Sequence, residues 1–161
     1  MTLTDRILAS QSDPKAAAVL KAGYDTFLQF GLRRASMQDI ADQAGMSRAA
    51  LYLHFKNKHD IYGAMMQAYF ASAAEAVGEA LAAETDPSRA LEAAFEAQIG
   101  DAAEAMMRSA HAEELLAPSV KNVAKVLGDG HQELIQAYAR WLDAGVLAGR
   151  ISGEAVAGNS E

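Results

Sequence analysis

The stretch that decides the fold is Ser36-Met37-Gln38-Asp39-Ile40-Ala41-Asp42-Gln43-Ala44-Gly45-Met46-Ser47-Arg48-Ala49-Ala50-Leu51-Tyr52-Leu53-His54-Phe55-Lys56-Asn57-Lys58. Ser36 stands where a helix needs an N-cap, and Asp39, three residues on, completes a capping box. Ile40, Ala41 and Ala44 share one face at helical spacing. Gly45 supplies the left-handed residue that ends a helix at low steric cost. Ser47 caps a second helix, so Gly45-Met46-Ser47 is a turn of helix-turn-helix length. In the second helix Leu51 and Phe55, four apart, point inward. Arg48, Tyr52, Lys56 and Lys58 are left for the outside. An arginine beside small Ala49 and Ala50 suits close approach to base edges in a major groove. Tyr52 and His54 can donate to phosphate oxygens, contacts that position a helix without reading sequence.

Outward from this stretch, charge divides the chain. Residues 1–60 hold eight Lys and Arg against six Asp and Glu, a net +2, which leaves −9 on the rest of a chain whose total is −7. A basic head on an acidic body is the footprint of a protein with one end facing phosphate. The chain has 161 residues, 51% of them apolar, and no cysteine. That suits an alanine-rich, all-α protein with a real core and excludes disulfide frameworks and thiolate metal sites. The opening residues lack a signal peptide's apolar run. The uncharged run that begins at Ile61 is shorter than the roughly 20 residues that cross a bilayer. The expected location is cytoplasmic.

In chain order, residues 1–12 read as a mobile arm. Asp13-Pro14 starts a helix, cap then proline, that should stop at Gly31. Val19, Leu20, Phe27 and Phe30 form its inner face, and Gly23 admits a neighbouring helix. Arg33 and Arg34 sit where phosphates would pass, the alternative being an ordinary solvated pair. Asn57 caps a long helix with Asp60 as its partner. Lys58 in that first turn opposes the helix dipole, a conflict that a phosphate bound there would remove. Ile61, Met65, Ala68, Tyr69 and Ser72 mark one face of this helix, which runs to about Ala83. Asp86-Pro87 opens another, to about His111, with Leu91, Phe95, Ile99, Ala102 and Met106 as its stripe. Ala117-Pro118-Ser119 is a break. A short helix from Val120 to Leu127 should end at Gly128-Asp129-Gly130. A last one carries Leu134, Ile135, Tyr138, Trp141 and Leu142 and ends near Gly149.

Ile40-Ala41, Ala44-Gly45, Ser47, Leu51-Tyr52, His54-Phe55 and Lys58 together resemble the DNA-binding domain of TetR-family transcriptional regulators. The Leu-Tyr-x-His-Phe-x-x-Lys run is the most specific part, and the resemblance covers about residues 15–62. It implies a three-helix DNA-binding head in residues 1–57 and an antiparallel helical effector and dimerisation body in 58–161. Arg48, Ala49 and Gln38 would meet bases. Arg34, Ser36, Ser47, Tyr52, His54 and Lys58 would meet phosphates. The partners implied are a palindromic double-stranded operator, a second copy of the chain and a small apolar or amphipathic effector. The protein would be a repressor released by that effector. Phe95, Met106, Met107, His111, Tyr138 and Trp141 would line the effector pocket. Such proteins continue with two more long helices, so the body as given is read as C-terminally incomplete.

Other chemistries find little footing. His54, His59 and His111 lack the His-x-x-x-His spacing of a metal site, and neither a metal nor a cofactor is expected. Ser36 and Ser47 are caps, not nucleophiles. The adjacent Glu113 and Glu114 diverge around a helix, so an enzyme is not the expected reading. The alternative is a helical protein-interaction module that kept the fold without operator binding.

Overall fold

A computed structural model describes residues 3–9, 11–116 and 121–153. All of the regular structure in them is helical. Asp13 caps α2 (Pro14–Arg34) by accepting the Lys15 amide, with proline in the first turn. Gly31 interrupts this helix at φ 76°, and Leu32–Arg34 form a further turn beyond it. The expected stop at Gly31 is therefore a kink rather than an end. A Cβ at Gly31 would lie 2.7 Å from the Glu114 carboxylate and 3.0 Å from the His111 ring. Glycine permits both the backbone angle and this approach.

α3 (Met37–Gln43) and α4 (Arg48–His54) follow, each of seven residues. α5 (Lys58–Ala83) is the axis of the molecule. Ile61, Tyr62, Ala73 and Val77 are fully buried along it, and Met65, Met66, Phe70 and Leu81 nearly so. A helix apolar nearly all round must be covered on several sides. Here α6 (Pro87–Arg108) and α8 (Lys121–Leu147) flank it, and α2 packs near its start. Gly23 serves the expected close approach, since a Cβ there would lie 2.7 Å from Ile61 Cγ2.

Four expectations about this architecture need correction. The first is the mobile arm, which contains α1 (Leu3–Ala9), packed on α5 and α6. Ile7 is buried. Arg6 makes a two-pronged ion pair with Glu79, and Thr4 donates from its amide (3.2 Å) and hydroxyl (2.5 Å) to Asp101. Ile7 and Leu8 beside Arg6 were the overlooked signal. The ion pair lowers the Glu79 pKa and raises that of Arg6 through the same hydrogen bonds.

The second concerns 128–130, which is not a helix end. α8 runs unbroken through it, because Gly130 is where α8 meets α5. A Cβ at Gly130 would fall 2.2 Å from the Phe70 ring. The break at 117–119 and the residue Val120 lie outside the described residues.

The third concerns α6, which ends at Arg108 and bends at Gly100 (φ 55°). It buries Ala90, Ala94, Ala102 and Met106, while Phe95 (56%) and Ile99 (45%) are exposed. Alanines face α5 because small side chains let two helices approach closely. The fourth is similar, since Phe30, expected on the inner face of α2, is exposed.

α7 (Ala112–Leu116) closes the junction of α2 and α6. The buried Leu115 carbonyl accepts a hydrogen bond from the Tyr62 hydroxyl. Burial pushes the Tyr62 phenol up, and the Tyr24 phenol, which donates to the Ala102 carbonyl, is pushed up to about 12. No helix among the described residues is long and apolar enough to cross a membrane.

Candidate nucleic-acid interface

Local chemistry builds the α3–α4 unit almost alone. Ser36 Oγ accepts the Asp39 amide at 3.2 Å, and Asp39 Oδ2 accepts the Ser36 amide at 2.9 Å, so the capping box is complete. The Ser36 hydroxyl also donates to Asp39 at 2.6 Å, which holds the Asp39 carboxyl below its ordinary pKa. After α3, Gly45 adopts φ 66°. Its amide donates to the Asp42 carbonyl, and the Met46 amide donates to the Ala41 carbonyl. This pair of bonds is a Schellman stop. Ser47 Oγ then accepts the Ala50 amide at 3.1 Å and starts α4.

α4 is pinned by Leu51, which is fully buried, with Phe55 half-buried after it. Arg48, Ala49, Tyr52, Leu53 and His54 are exposed. The Arg48 guanidinium donates to the Tyr52 hydroxyl at 3.2 Å and lies 5.5 Å from that ring's centre. The pairing spans i to i+4, one helical turn, and orders two long side chains on one flank. Sequence reasoning named both residues but not their contact. It also passed over Leu53, whose 85% exposure is unusual for so large an apolar side chain.

The other expected DNA contacts differ in availability. Arg34 is exposed and Ser47 stands at the tip of the unit. Gln38 is exposed, with its amide nitrogen 2.7 Å from Asp42 Oδ1. His54 Nδ1 lies 3.4 Å from Asp13 Oδ2, so it ties α4 to the cap of α2. Ser36 commits its hydroxyl hydrogen to Asp39. Arg33 is held at the body, its amide donating to Glu114 and its Nε 3.6 Å from the same carboxylate.

Lys58 requires a correction. Its ammonium donates to the carbonyls of Arg33 (2.7 Å) and Ala35 (2.8 Å) at the end of α2. A cation on exposed C-terminal carbonyls is favourable. The conflict with the dipole of α5 is thus offset inside the molecule, without a phosphate. Asn57 caps α5 by accepting the His59 and Asp60 amides, and its side chain donates to Asp60.

On the body side, a cavity of about 150 Å³ lies among α5, α6, α7 and α8. Met66, Tyr69, Phe70, Met106, Leu115, Leu127 and Leu134 make most of its wall, with Gln98 and His131 as polar groups. Of the six residues expected to line an effector pocket, Met106 lines this cavity and five do not. Phe95 stacks outside on Tyr138, 5.5 Å between ring centres. The Tyr138 hydroxyl donates to Gln98 Oε1, which places it one bond behind the wall. Met107 is exposed. His111 packs on Gly31, with Nε2 3.3 Å from the Gln29 carbonyl. The Trp141 indole donates to the Leu81 carbonyl. Periodicity located these helices but not the rotation of each about its axis, which decides which side chains face the cavity. No cluster of three metal-ligating side chains occurs among the described residues.

Residues 19–65 match the family model for bacterial regulatory proteins of the tetR family. The transcriptional activator FasR of Mycolicibacterium smegmatis is 36% identical over 85 residues, covering 53% of this chain and 39% of that protein. The transcriptional repressor BepR of Brucella suis is 40% identical over 45 residues, 28% of this chain and 22% of that one. The chain thus spans less than half the length of these relatives. Among solved structures, the fatty acid degradation regulator FadR of Bacillus halodurans superposes with a TM-score of 0.72 at 16% identity, over 88% of this chain and 73% of its own. FadR of Bacillus subtilis, in complex with stearoyl-CoA, gives 0.67 at 20% identity, over 84% and 73%. At such identities the structural likeness shows a shared fold.

Proposed function

From the match of residues 19–65 to the tetR family model, we propose that the chain is a TetR-family regulator that binds a specific DNA site through α4 and regulates transcription there. One observation carries the reading. Leu51 is fully buried while Arg48 and Tyr52, a turn apart, stand exposed and joined on the outside of the same short helix. A helix anchored along one side, with an ordered cation on its flank, is built to enter a groove. Arg48 and Ala49 meet base edges, with Gln38 beside them. Arg34, Ser47, Tyr52 and His54 meet phosphates.

The protein acts as a homodimer on a palindromic site, with recognition helices about one DNA turn apart, roughly 34–36 Å. Its head comprises residues 1–57 and its body 58–161, although α1 packs with the body. The cavity beside α5 takes a small apolar or amphipathic effector, in keeping with its methionine and leucine wall. The stearoyl-CoA bound by the Bacillus subtilis regulator is a larger molecule of that amphipathic kind. α5 forms part of that wall and starts directly beneath α2, so an effector that favours one tilt of α5 changes the spacing of the two heads. Release then needs only a difference in effector affinity between two states. In this scheme the protein is a repressor and carries out no catalysis.

The experiment is a gel shift on DNA from upstream of the gene across a salt series. The expected result is a specific complex that weakens steeply with salt. A complex with no preference over unrelated DNA, or none at all, contradicts the reading.

A further inference from the structure

The outermost line of α4 is apolar. Each residue of a helix advances by about 100°, so residues two before and two after Leu51 lie roughly opposite it. Those residues are Ala49 and Leu53. Leu51 is fully buried and Leu53 is 85% exposed, as this geometry requires. Arg48 and Tyr52 flank this line rather than occupy it, and their side chains are joined to each other. The part of α4 that would reach deepest into a groove therefore offers no hydrogen-bond donor or acceptor from its side chains.

A single exposed leucine is ordinary on a protein surface. Its place on the groove-facing line gives this one meaning. The 5-methyl group of thymine is the one apolar group that base edges present in the major groove. We infer that Leu53, with Ala49 a turn before it, selects thymine through that methyl group. The inference rests on the DNA-binding reading above. A protein partner is disfavoured because the exposed residues nearest Leu53 in the chain's helical geometry are Ala49 and Tyr52, with Lys56 just past the end of α4. That setting combines charge for phosphate with one small apolar contact.

The test starts with selection of a preferred duplex from random-sequence DNA by the full chain. Each thymine of that duplex is then replaced singly by deoxyuridine, which removes only the methyl group. The wild-type protein should bind about fourfold more weakly at one thymine of each half-site, the worth of one buried methyl-sized group. Leu53→Ala should bind both duplexes alike at that position and keep its helical circular dichroism spectrum. Replacing that thymine–adenine pair by 5-methylcytosine–guanine should recover part of the wild-type affinity relative to unmethylated cytosine. Indifference of the wild type to every uracil overturns the assignment, as does an undiminished methyl effect in Leu53→Ala. Failure to select any sequence would instead sink the DNA-binding reading itself, and this inference with it.

Discussion

The unit α3–α4 and the bundle around α5 reach order by different routes. α3 and α4 have seven residues each, too short for helices to persist by propensity alone. Their ends are fixed by Ser36, Asp39, Gly45 and Ser47, and their backs by Ile40, Ala41 and Leu51. The bundle relies on length and contact, with α5 buried on most of its circumference. The contrast has a functional consequence. A unit defined by caps and a few buried side chains can leave its outer face free for a partner. A bundle defined by mutual burial can hold a cavity and transmit a shift of one helix to its neighbours.

Perturbing the two regions should therefore give different signatures. Leu51→Ala should have the largest effect, about 2–5 kcal/mol by cavity formation, read by chemical denaturation. It should also abolish DNA binding, because Leu51 is the buried side chain of α4. Survival of binding with that loss of stability would mean that the caps alone hold the helix. Gly130→Ala should cost about 1–3 kcal/mol by overpacking against Phe70, with DNA affinity nearly preserved in the absence of an effector. If DNA binding falls with it in proportion, the bundle and the head are not separable in this way.

Lys58 and Arg34 sharpen the comparison at the boundary. Lys58→Ala should lower stability by about 1–2 kcal/mol, since two carbonyls lose a charged donor, and leave the salt dependence of DNA binding unchanged. Arg34→Ala should do the reverse, lowering the salt slope by about 1 per head with little change in stability. Exchanged outcomes would return Lys58 to the interface. Ser36→Ala should cost about 1 kcal/mol at neutral pH through the lost cap. The Asp39 carboxyl is held below its ordinary pKa in the folded chain. Its contribution is thus present above the unfolded value and lost as pH falls through the folded one. The penalty of Ser36→Ala should shrink in acid, measured as the difference in denaturation midpoint between variant and wild type. A constant difference would detach the capping box from Asp39 ionisation.

The same contrast governs what could be read from residues alone. The caps at Ser36, Ser47, Asn57 and Asp13 and the stop at Gly45 are local features, so their positions were legible. The inward direction of α4 was also legible, because Leu51 and Phe55 have few rivals on so short a helix. The rotation of α6 was not. Its alanines and its large apolar residues form two stripes, and only packing on α5 decides that the alanines go inside. Lys58 was misread for a related reason. Its conflict with the dipole of α5 was real, but the partner is the end of another helix, 23 to 25 residues earlier in the chain. Gly128-Asp129-Gly130 looked like a break because the use of Gly130, proximity to Phe70, is tertiary. The contacts on the exposed face of α4 were missed where side chains touch each other, as Arg48 touches Tyr52.

The most direct measurement is the affinity of Arg48→Ala and of wild type for the preferred duplex and for every single base-pair variant of it. Arg48 as a base-reading residue predicts a loss of about 1–3 kcal/mol on the preferred duplex, with discrimination relaxed at one base pair per half-site. An equal weakening on every sequence would contradict it, and would leave α4 lying against the backbone rather than in the groove.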